Sequence, residues 1–181
     1  MKEIRINIIL LLFFNMAICS VIIEKTESEI KEYFPNALSI KWKMHKIQKS
    51  TAKNIQNVAK QKFFRKEVNT WMVVDSDSSK YYAILDNVKG KSLPITFLTI
   101  FNSDLNLEHS SIIKYREAYG GEVGSRSWLD QFSAYNDTSD YSVGSSISGI
   151  SGATISVHSV SKGIRKLSML IDEIIRDYNY E

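Results

Sequence analysis

The chain has 181 residues, a formal net charge of +3 and 44% hydrophobic residues. This length corresponds to about one domain with a short extension, and the apolar content is sufficient for a core. The small charge excludes a strong electrostatic footprint for nucleic acid. A lysine-rich stretch at 42–66 favours a solvated helical face over a site for an anionic surface.

The N-terminus combines basic residues with an apolar run. Lys2 and Arg5 precede a nearly unbroken apolar run over 6–23, interrupted only by Asn7, Asn15 and Ser20. This pattern is typical of an export signal, and the run is nearly long enough to span a bilayer. We therefore interpret residues 1–23 as a signal peptide or membrane anchor and expect an extracytoplasmic location. Cys19 is the only cysteine, so the chain cannot form an internal disulfide. Its surroundings loosely fit a lipidation site.

Residues 24–69 predict an N-terminal helical extension or subdomain. Thr26 or Ser28 can cap a short first helix. Alternating apolar residues predict a strand over 37–44, and helical spacing predicts a helix over 53–63.

Residues 70–181 predict a sheet followed by a helix. Three or four antiparallel strands are predicted, at 71–74, 81–85, 95–101 and around 112–115, with a short helix at 127–132. The last helix carries an apolar stripe at intervals of three and four: Val157, Val160, Ile164, Leu167, Ile171, Ile174 and Tyr178. We expect Lys166 on its solvent face. The pattern predicts an α+β fold, with a small antiparallel sheet covered by this C-terminal amphipathic helix.

A small-residue stretch, Ser151-Gly152-Ala153-Thr154-Ile155-Ser156, lies just before this helix. Small residues allow close approach to the backbone, and a helix N-terminus offers free N–H groups and a positive dipole end. The stretch therefore predicts a phosphate cradle. His158 falls in or near the first helical turn, where it either contacts a phosphate or faces solvent.

Other chemistries fit the sequence poorly. Residues 149–153 resemble a nucleophile elbow, but Ala153 replaces the final glycine and no histidine follows at a suitable distance. A P-loop is excluded because no Gly-Lys-Ser/Thr follows the glycine-rich turn. His45, His109 and His158 lack metal-ligand spacing, and we expect His45 and His109 at the surface.

Three motifs together resemble the FMN-binding domain family over about residues 81–170. They are Ser-Gly-Ala-Thr at 151–154, Tyr-Arg-Glu-Ala-Tyr-Gly-Gly-Glu-Val at 115–123 with Trp-Leu-Asp-Gln-Phe at 128–132, and Asp-Asn-Val-Lys-Gly-Lys at 86–91. The family includes flavin-carrying subunits of Na⁺-translocating quinone reductases and Rnf complexes, and small exported flavoproteins. The resemblance implies that residues 70–181 form an FMN-binding domain.

The resemblance also implies roles for individual residues. Thr154 would be the residue esterified to the FMN phosphate by a flavin transferase, with Ser151, Gly152, Ala153, Ser156 and His158 around the phosphate. The turn Gly120-Gly121-Glu122-Val123 would line the isoalloxazine, with Trp128 or Leu129 beside it. Electron donor and acceptor proteins, or a quinone-linked membrane complex, would be the partners.

One position departs from the family pattern. The transferase's target usually has Asp three residues before the first Ser of the motif, and this chain has Ser148 there. The alternative interpretation is an exported binding or structural module that keeps the fold without the cofactor.

Overall fold

The computed structural model describes residues 21–180. The predictions for residues 1–20, including Cys19, lie outside the described residues. Residues 21–33 are helical and are named α1, and within α1 the Thr26 hydroxyl donates to the carbonyl of Ile22 at 2.7 Å. The predicted helix start with a cap at Thr26 or Ser28 is therefore wrong, because residues 21–25 are already helical. Within residues 21–180, no helix has the length and apolar character needed to cross a membrane.

Residues from Asn36 onward form a second compact unit, built on an antiparallel sheet. Its described strands are β1 (Ser39–Lys46), β2 (Glu67–Val74), β3 (Lys80–Lys89), β4 (Pro94–Asn102) and β5 (Leu107–Lys114). Each strand pairs with the next one in sequence, giving the order β1-β2-β3-β4-β5. The predicted α+β fold is confirmed. The sheet extends across the predicted boundary at residue 70, because β1 pairs with β2 along its length.

The described helices of this unit are α2 (Lys49–Ala59), α3 (Arg126–Leu129), α4 (Thr154–Ser168) and α5 (Ile171–Asn179), with 3₁₀ turns at Gly121–Gly124 and Asp130–Phe132. Helix α2 ends four residues earlier than predicted, because Lys60 adopts a left-handed conformation with φ 54°. The predicted single C-terminal helix is divided by a turn at 169–170 into α4 and α5. The predicted apolar stripe is buried along both helices.

Helix α4 packs closely against β3 and β4. A Cβ atom added at Gly163 would lie 2.5 Å from Cγ1 of Val88 and 2.9 Å from Cζ of Phe97. Both contacts are shorter than side chains tolerate without displacement, so glycine allows this approach. Val160 and Ile164 beside it are fully buried. The helix axis is thereby held directly on the sheet.

Lys166 is the charged exception in this interface. Its fully buried ammonium lies 2.6 Å from Oδ2 of Asp86 on β3 and 4.6 Å from the ring centroid of Phe63. The carbonyls of Lys62 and Asn87 accept hydrogen bonds from it at 3.2 and 3.4 Å. Our placement of Lys166 on the solvent face is wrong. Lys166 borders the apolar stripe on the side where Asp86 supplies a buried partner.

His45 and His109 are also buried, which corrects our expectation that they lie at the surface. His45 Nδ1 lies 2.8 Å from Oδ2 of Asp177 and its Nε2 lies 3.0 Å from Oε1 of Glu173, both on α5. His109 Nδ1 lies 2.7 Å from the guanidinium of Arg126. Each histidine faces a partner from a distant helix, which local spacing cannot reveal.

Tyr141 attaches the loop before α4 to the end of that helix. Its hydroxyl donates to the carbonyl of Asn136 at 3.0 Å and lies 2.8 Å from Oγ of Ser168. Its ring packs on Phe132 and Tyr135. Burial raises the pKa of Tyr141 to about 12, partly offset by the hydrogen bond with Ser168.

We predict that Lys166→Ala destabilises the fold by about 3–5 kcal/mol, because it leaves the Asp86 carboxylate buried without its cation. Urea unfolding followed by tryptophan fluorescence measures this loss. Lys162→Ala is the matched control, since Lys162 is exposed on the same helix, and its effect should stay within about 0.5 kcal/mol. The double variant Asp86→Asn/Lys166→Met should recover most of the loss. Equal effects of the two lysine substitutions would contradict a stabilising buried pair.

We also predict that stability falls as the pH rises above about 10. The folded state holds the Tyr141 proton up to a pKa of about 12, whereas the unfolded chain releases it near pH 10. The stabilisation is therefore complete below about pH 10 and declines toward pH 12, by about 2–3 kcal/mol for this group. In Tyr141→Phe, urea unfolding at increasing pH should show a correspondingly smaller decline. An unchanged decline in that variant would assign the pH dependence to other groups.

Candidate functional site

The N-terminus of α4 presents uncapped backbone donors. Thr154 is the first helical residue, and Ala153 occupies the N-cap position, where it has no polar side chain. The N–H of Val157 donates to the carbonyl of Ala153 at 2.9 Å. The N–H groups of the three residues between them therefore have no intrahelical acceptor. They form the positive end of a 15-residue helix.

These residues line an open depression of about 550 Å³, here named the Thr154 depression. Three segments of the chain contribute to it: Lys91 and Ser92 between β3 and β4, Glu117, Ala118 and Tyr119 after β5, and Gly152, Ala153, Thr154, Ile155 and Ser156 at the start of α4. Gly152 has φ 78°, and a Cβ atom there would meet nothing within 4 Å. The backbone before Thr154 is therefore open to a ligand.

The hydroxyl of Tyr115 connects the segment after β5 to α4. It donates to the carbonyl of Tyr119 at 2.5 Å and lies 2.9 Å from Oγ of the buried Ser156. Gly120 follows with φ 83°, and a Cβ atom there would lie 2.9 Å from the Tyr115 hydroxyl and 3.2 Å from Cβ of Ala153. The glycine turn is thus packed against the first turn of α4.

A second, shallower depression of about 420 Å³, the Ser148 depression, lies beyond this turn. It is lined by Glu122, Ser125, Ser127, Trp128, Gln131, Ser148 and Ile150. The indole N–H of Trp128 donates to the carbonyl of Ser148 at 2.8 Å, and the Ser148 N–H donates to Oε1 of Gln131 at 2.7 Å. The backbone of Ser148 is therefore fixed independently of its side chain.

The structure separates the twelve predicted site residues into five groups. Four line the Thr154 depression: Gly152, Ala153, Thr154 and Ser156. Two line the Ser148 depression: Glu122 and Trp128. Two lie in the turn between residues of the two depressions: Gly120 and Gly121. Two are buried in the core: Val123 and Leu129. Two are exposed and line neither depression: Ser151 and His158.

Sequence reasoning missed several residues of the Thr154 depression or its support, among them Tyr115, Glu117, Tyr119 and Lys91. Tyr115, Glu117 and Tyr119 belong to the glycine-turn motif that we had singled out, but the motif does not reveal which side chains face the cradle. Lys91 ends the motif at 86–91, far from Thr154 in sequence. Only the pairing of β3, β4 and β5 and the packing of α4 on the sheet bring these segments together.

The donor set fits an oxyanion. The Thr154 depression combines helix N-terminal N–H groups, the Thr154 hydroxyl and the Lys91 ammonium, which are the groups that bind phosphate in proteins. Within residues 21–180, no three His, Cys, Asp or Glu side chains lie in an arrangement that could hold a metal ion. Fold and site together define an α+β domain with an open depression whose donors suit an oxyanion.

Comparison with known families identifies the ligand. Residues 90–168 match the family model of the FMN-binding domain, a segment that includes every residue lining the two depressions. The match assigns residues 90–168 to the FMN-binding domain family and indicates FMN as the cofactor. A search of curated proteins finds no match to the chain.

We predict that Gly120→Ala weakens FMN binding at least tenfold. Alanine at this position would have to adopt a left-handed backbone, which costs about 1–2 kcal/mol. Its Cβ atom would also lie too close to the Tyr115 hydroxyl and to Ala153, and would push the turn away from α4. Gly121→Ala is the matched control, because a Cβ atom there would meet only ring carbons of Tyr115 at ordinary distances of 3.7 and 3.8 Å. Quenching of flavin fluorescence on titration measures both affinities. Equal losses for the two variants would show that close packing at Gly120 is unimportant.

Proposed function

We propose that this protein is an exported or membrane-anchored flavoprotein that carries FMN as a phosphoester of Thr154 and transfers electrons outside the cytoplasm. One observation supports the linkage above all others. The Thr154 hydroxyl belongs to the first residue of α4, exposed and beside uncapped N–H groups, in a depression open to solvent.

The protein's part in this function is to bind and orient the flavin. The N–H groups of Thr154, Ile155 and Ser156 would hold the phosphate, whose negative charge they stabilise through the helix dipole. The turn at 120–123 would line the ring, with Glu122 and Trp128 from the neighbouring Ser148 depression. When bound, FMN supplies the capacity to accept and donate electrons singly or in pairs.

Attachment to Thr154 needs a flavin transferase and a flavin nucleotide with a leaving group on its phosphate. The Thr154 oxygen forms the new bond to phosphorus and loses its proton, while the bond from phosphorus to the leaving group breaks. The open depression allows another protein to reach the hydroxyl. The proposal also requires an electron donor and an acceptor, either proteins or a quinone-linked membrane complex. Residues 1–23 would supply the export signal or the membrane attachment.

Ser148 bears on the efficiency of attachment. It replaces the Asp that is usual in the transferase's target pattern. Since Trp128 and Gln131 hold its backbone in place, we propose that the missing carboxylate slows attachment and leaves the cradle itself intact.

We predict that the full chain, co-expressed with a flavin transferase, keeps its yellow colour after denaturation. Thr154→Ala should lose covalent flavin completely, because no acceptor oxygen remains. Ser148→Asp should raise the covalently loaded fraction several-fold. Intact mass and the absorption spectrum of denatured protein measure the loading.

The control is Ser133→Ala, which removes an exposed hydroxyl outside the transferase's target motif and should leave loading unchanged. A wild-type mass without added flavin would rule out the covalent linkage. If the same protein still quenched the fluorescence of added FMN, the cofactor would bind non-covalently.

A further inference from the structure

Lys91 lines the same depression as Thr154, but its contribution to selectivity among flavins is not part of the proposed function. It lies in the turn between β3 and β4, is exposed, and follows the buried Gly90. Among the described residues that line the Thr154 depression, Lys91 is the sole cation and Glu117 the sole carboxylate. The electrostatic character of the depression therefore depends on how these two charges are used.

The Glu117 carboxylate accepts hydrogen bonds from the backbone of the turn between β3 and β4, which carries Lys91. Its Oε1 atom accepts hydrogen bonds from the N–H groups of Ser92 at 2.7 Å and Leu93 at 2.9 Å. The turn is closed by a hydrogen bond from the Gly90 N–H to the carbonyl of Leu93 at 3.0 Å. Hydrogen bonds from Leu93 and Ser92 hold the pKa of Glu117 below its ordinary value, so the group stays a carboxylate.

Gly90 makes this arrangement possible. A Cβ atom there would lie 2.5 Å from Oε1 of Glu117 and 2.7 Å from the carbonyl of Leu93. The carboxylate can therefore reach the two N–H groups only over a glycine. These contacts hold the turn that carries Lys91 beside the segment that carries Tyr119, so that both border the depression.

The two charges have different surroundings. The Glu117 oxygen accepts hydrogen bonds from the N–H groups of Ser92 and Leu93, which offset most of its negative charge, and the Coulombic attraction of Lys91 adds a smaller contribution. Lys91 is exposed and lines the depression. An anion in the depression thus meets a carboxylate already compensated by backbone donors, and a lysine that is only weakly engaged by that carboxylate. A phosphate near Thr154 would be favoured by both the helix N-terminus and this ammonium.

We propose that Lys91 binds the phosphate of FMN and gives the site its preference for FMN over riboflavin, with Glu117 as the positioning residue for Lys91. This inference rests on the proposed placement of the phosphate at Thr154. Lys91 acts on the phosphate alone, so its removal affects FMN and leaves riboflavin binding unchanged.

The test uses the full chain purified from cells that lack a flavin transferase, titrated separately with FMN and riboflavin. Lys91→Ala should weaken FMN binding about tenfold, the loss of one charge-assisted contact, and change riboflavin binding less than twofold. Lys91→Arg should retain most of the FMN affinity. Lys89→Ala is the matched control, because Lys89 is an exposed lysine at the end of β3 that does not line the depression.

Glu117→Ala separates positioning from bulk electrostatics. Removing a negative charge would by itself strengthen FMN binding, whereas loss of positioning weakens it. We expect weaker FMN binding, unchanged riboflavin binding, and a Lys91→Ala/Glu117→Ala double variant no weaker than Lys91→Ala alone. Stronger FMN binding by Glu117→Ala would overturn the positioning role.

The outcomes distinguish this inference from the proposed function. If wild type binds FMN more tightly than riboflavin and Lys91→Ala keeps that preference, the role of Lys91 is overturned and the phosphate cradle stands. If wild type binds both flavins equally, the placement of the phosphate at Thr154 fails, and the role of Lys91 fails with it.

Discussion

At Gly163, helix α4 lies directly on β3 and β4, and three residues later Lys166 is paired with Asp86 inside the same interface. Since an α-helix rises about 1.5 Å per residue and bends little, these two contacts fix the rest of the helix. Thr154 stands about 14 Å along the axis from Gly163. The position of the Thr154 hydroxyl is therefore set by packing well away from the depression that it lines.

The second half of this constraint comes from Tyr115. Its hydroxyl contacts both the carbonyl of Tyr119 and the hydroxyl of Ser156, so it ties the turn after β5 to the helix that carries Thr154. The sheet fixes the turn through β5 and fixes α4 through the contacts at Gly163, and the Tyr115 hydroxyl joins the turn to α4. The depression is consequently bordered by backbone that has few ways to move.

Much of the fold could be predicted from the sequence because apolar periodicity reports local geometry. The stripe from Val157 to Tyr178 and the antiparallel strands at 71–74 and 81–85 were predicted from local sequence, and the structure confirms both. Spacing does not report partners. Lys166 and His45 were placed in solvent because their partners, Asp86 and the carboxylates of α5, come from distant parts of the chain.

The site divides along the same line. The helix N-terminus at Thr154 could be predicted because small residues precede an amphipathic stripe, and the family resemblance named the ligand. Lys91 could not be assigned to it. Its position depends on a glycine, a carboxylate and two backbone N–H groups that meet only in the folded chain.

The strand order has a consequence for how this protein folds during its synthesis. Every pairing in the sheet joins neighbours in sequence. Strands β2 to β5 can therefore assemble hairpin by hairpin through short loop closures as the chain emerges, whereas helix α2 lies in the longer connection from β1 to β2. Helix α4 comes after all of them and brings Thr154 with it. A chain interrupted before residue 154 would retain the five described strands and lack the N-terminus of α4. Under the proposed attachment at Thr154, only chains synthesised far enough to fold α4 onto the sheet would carry flavin.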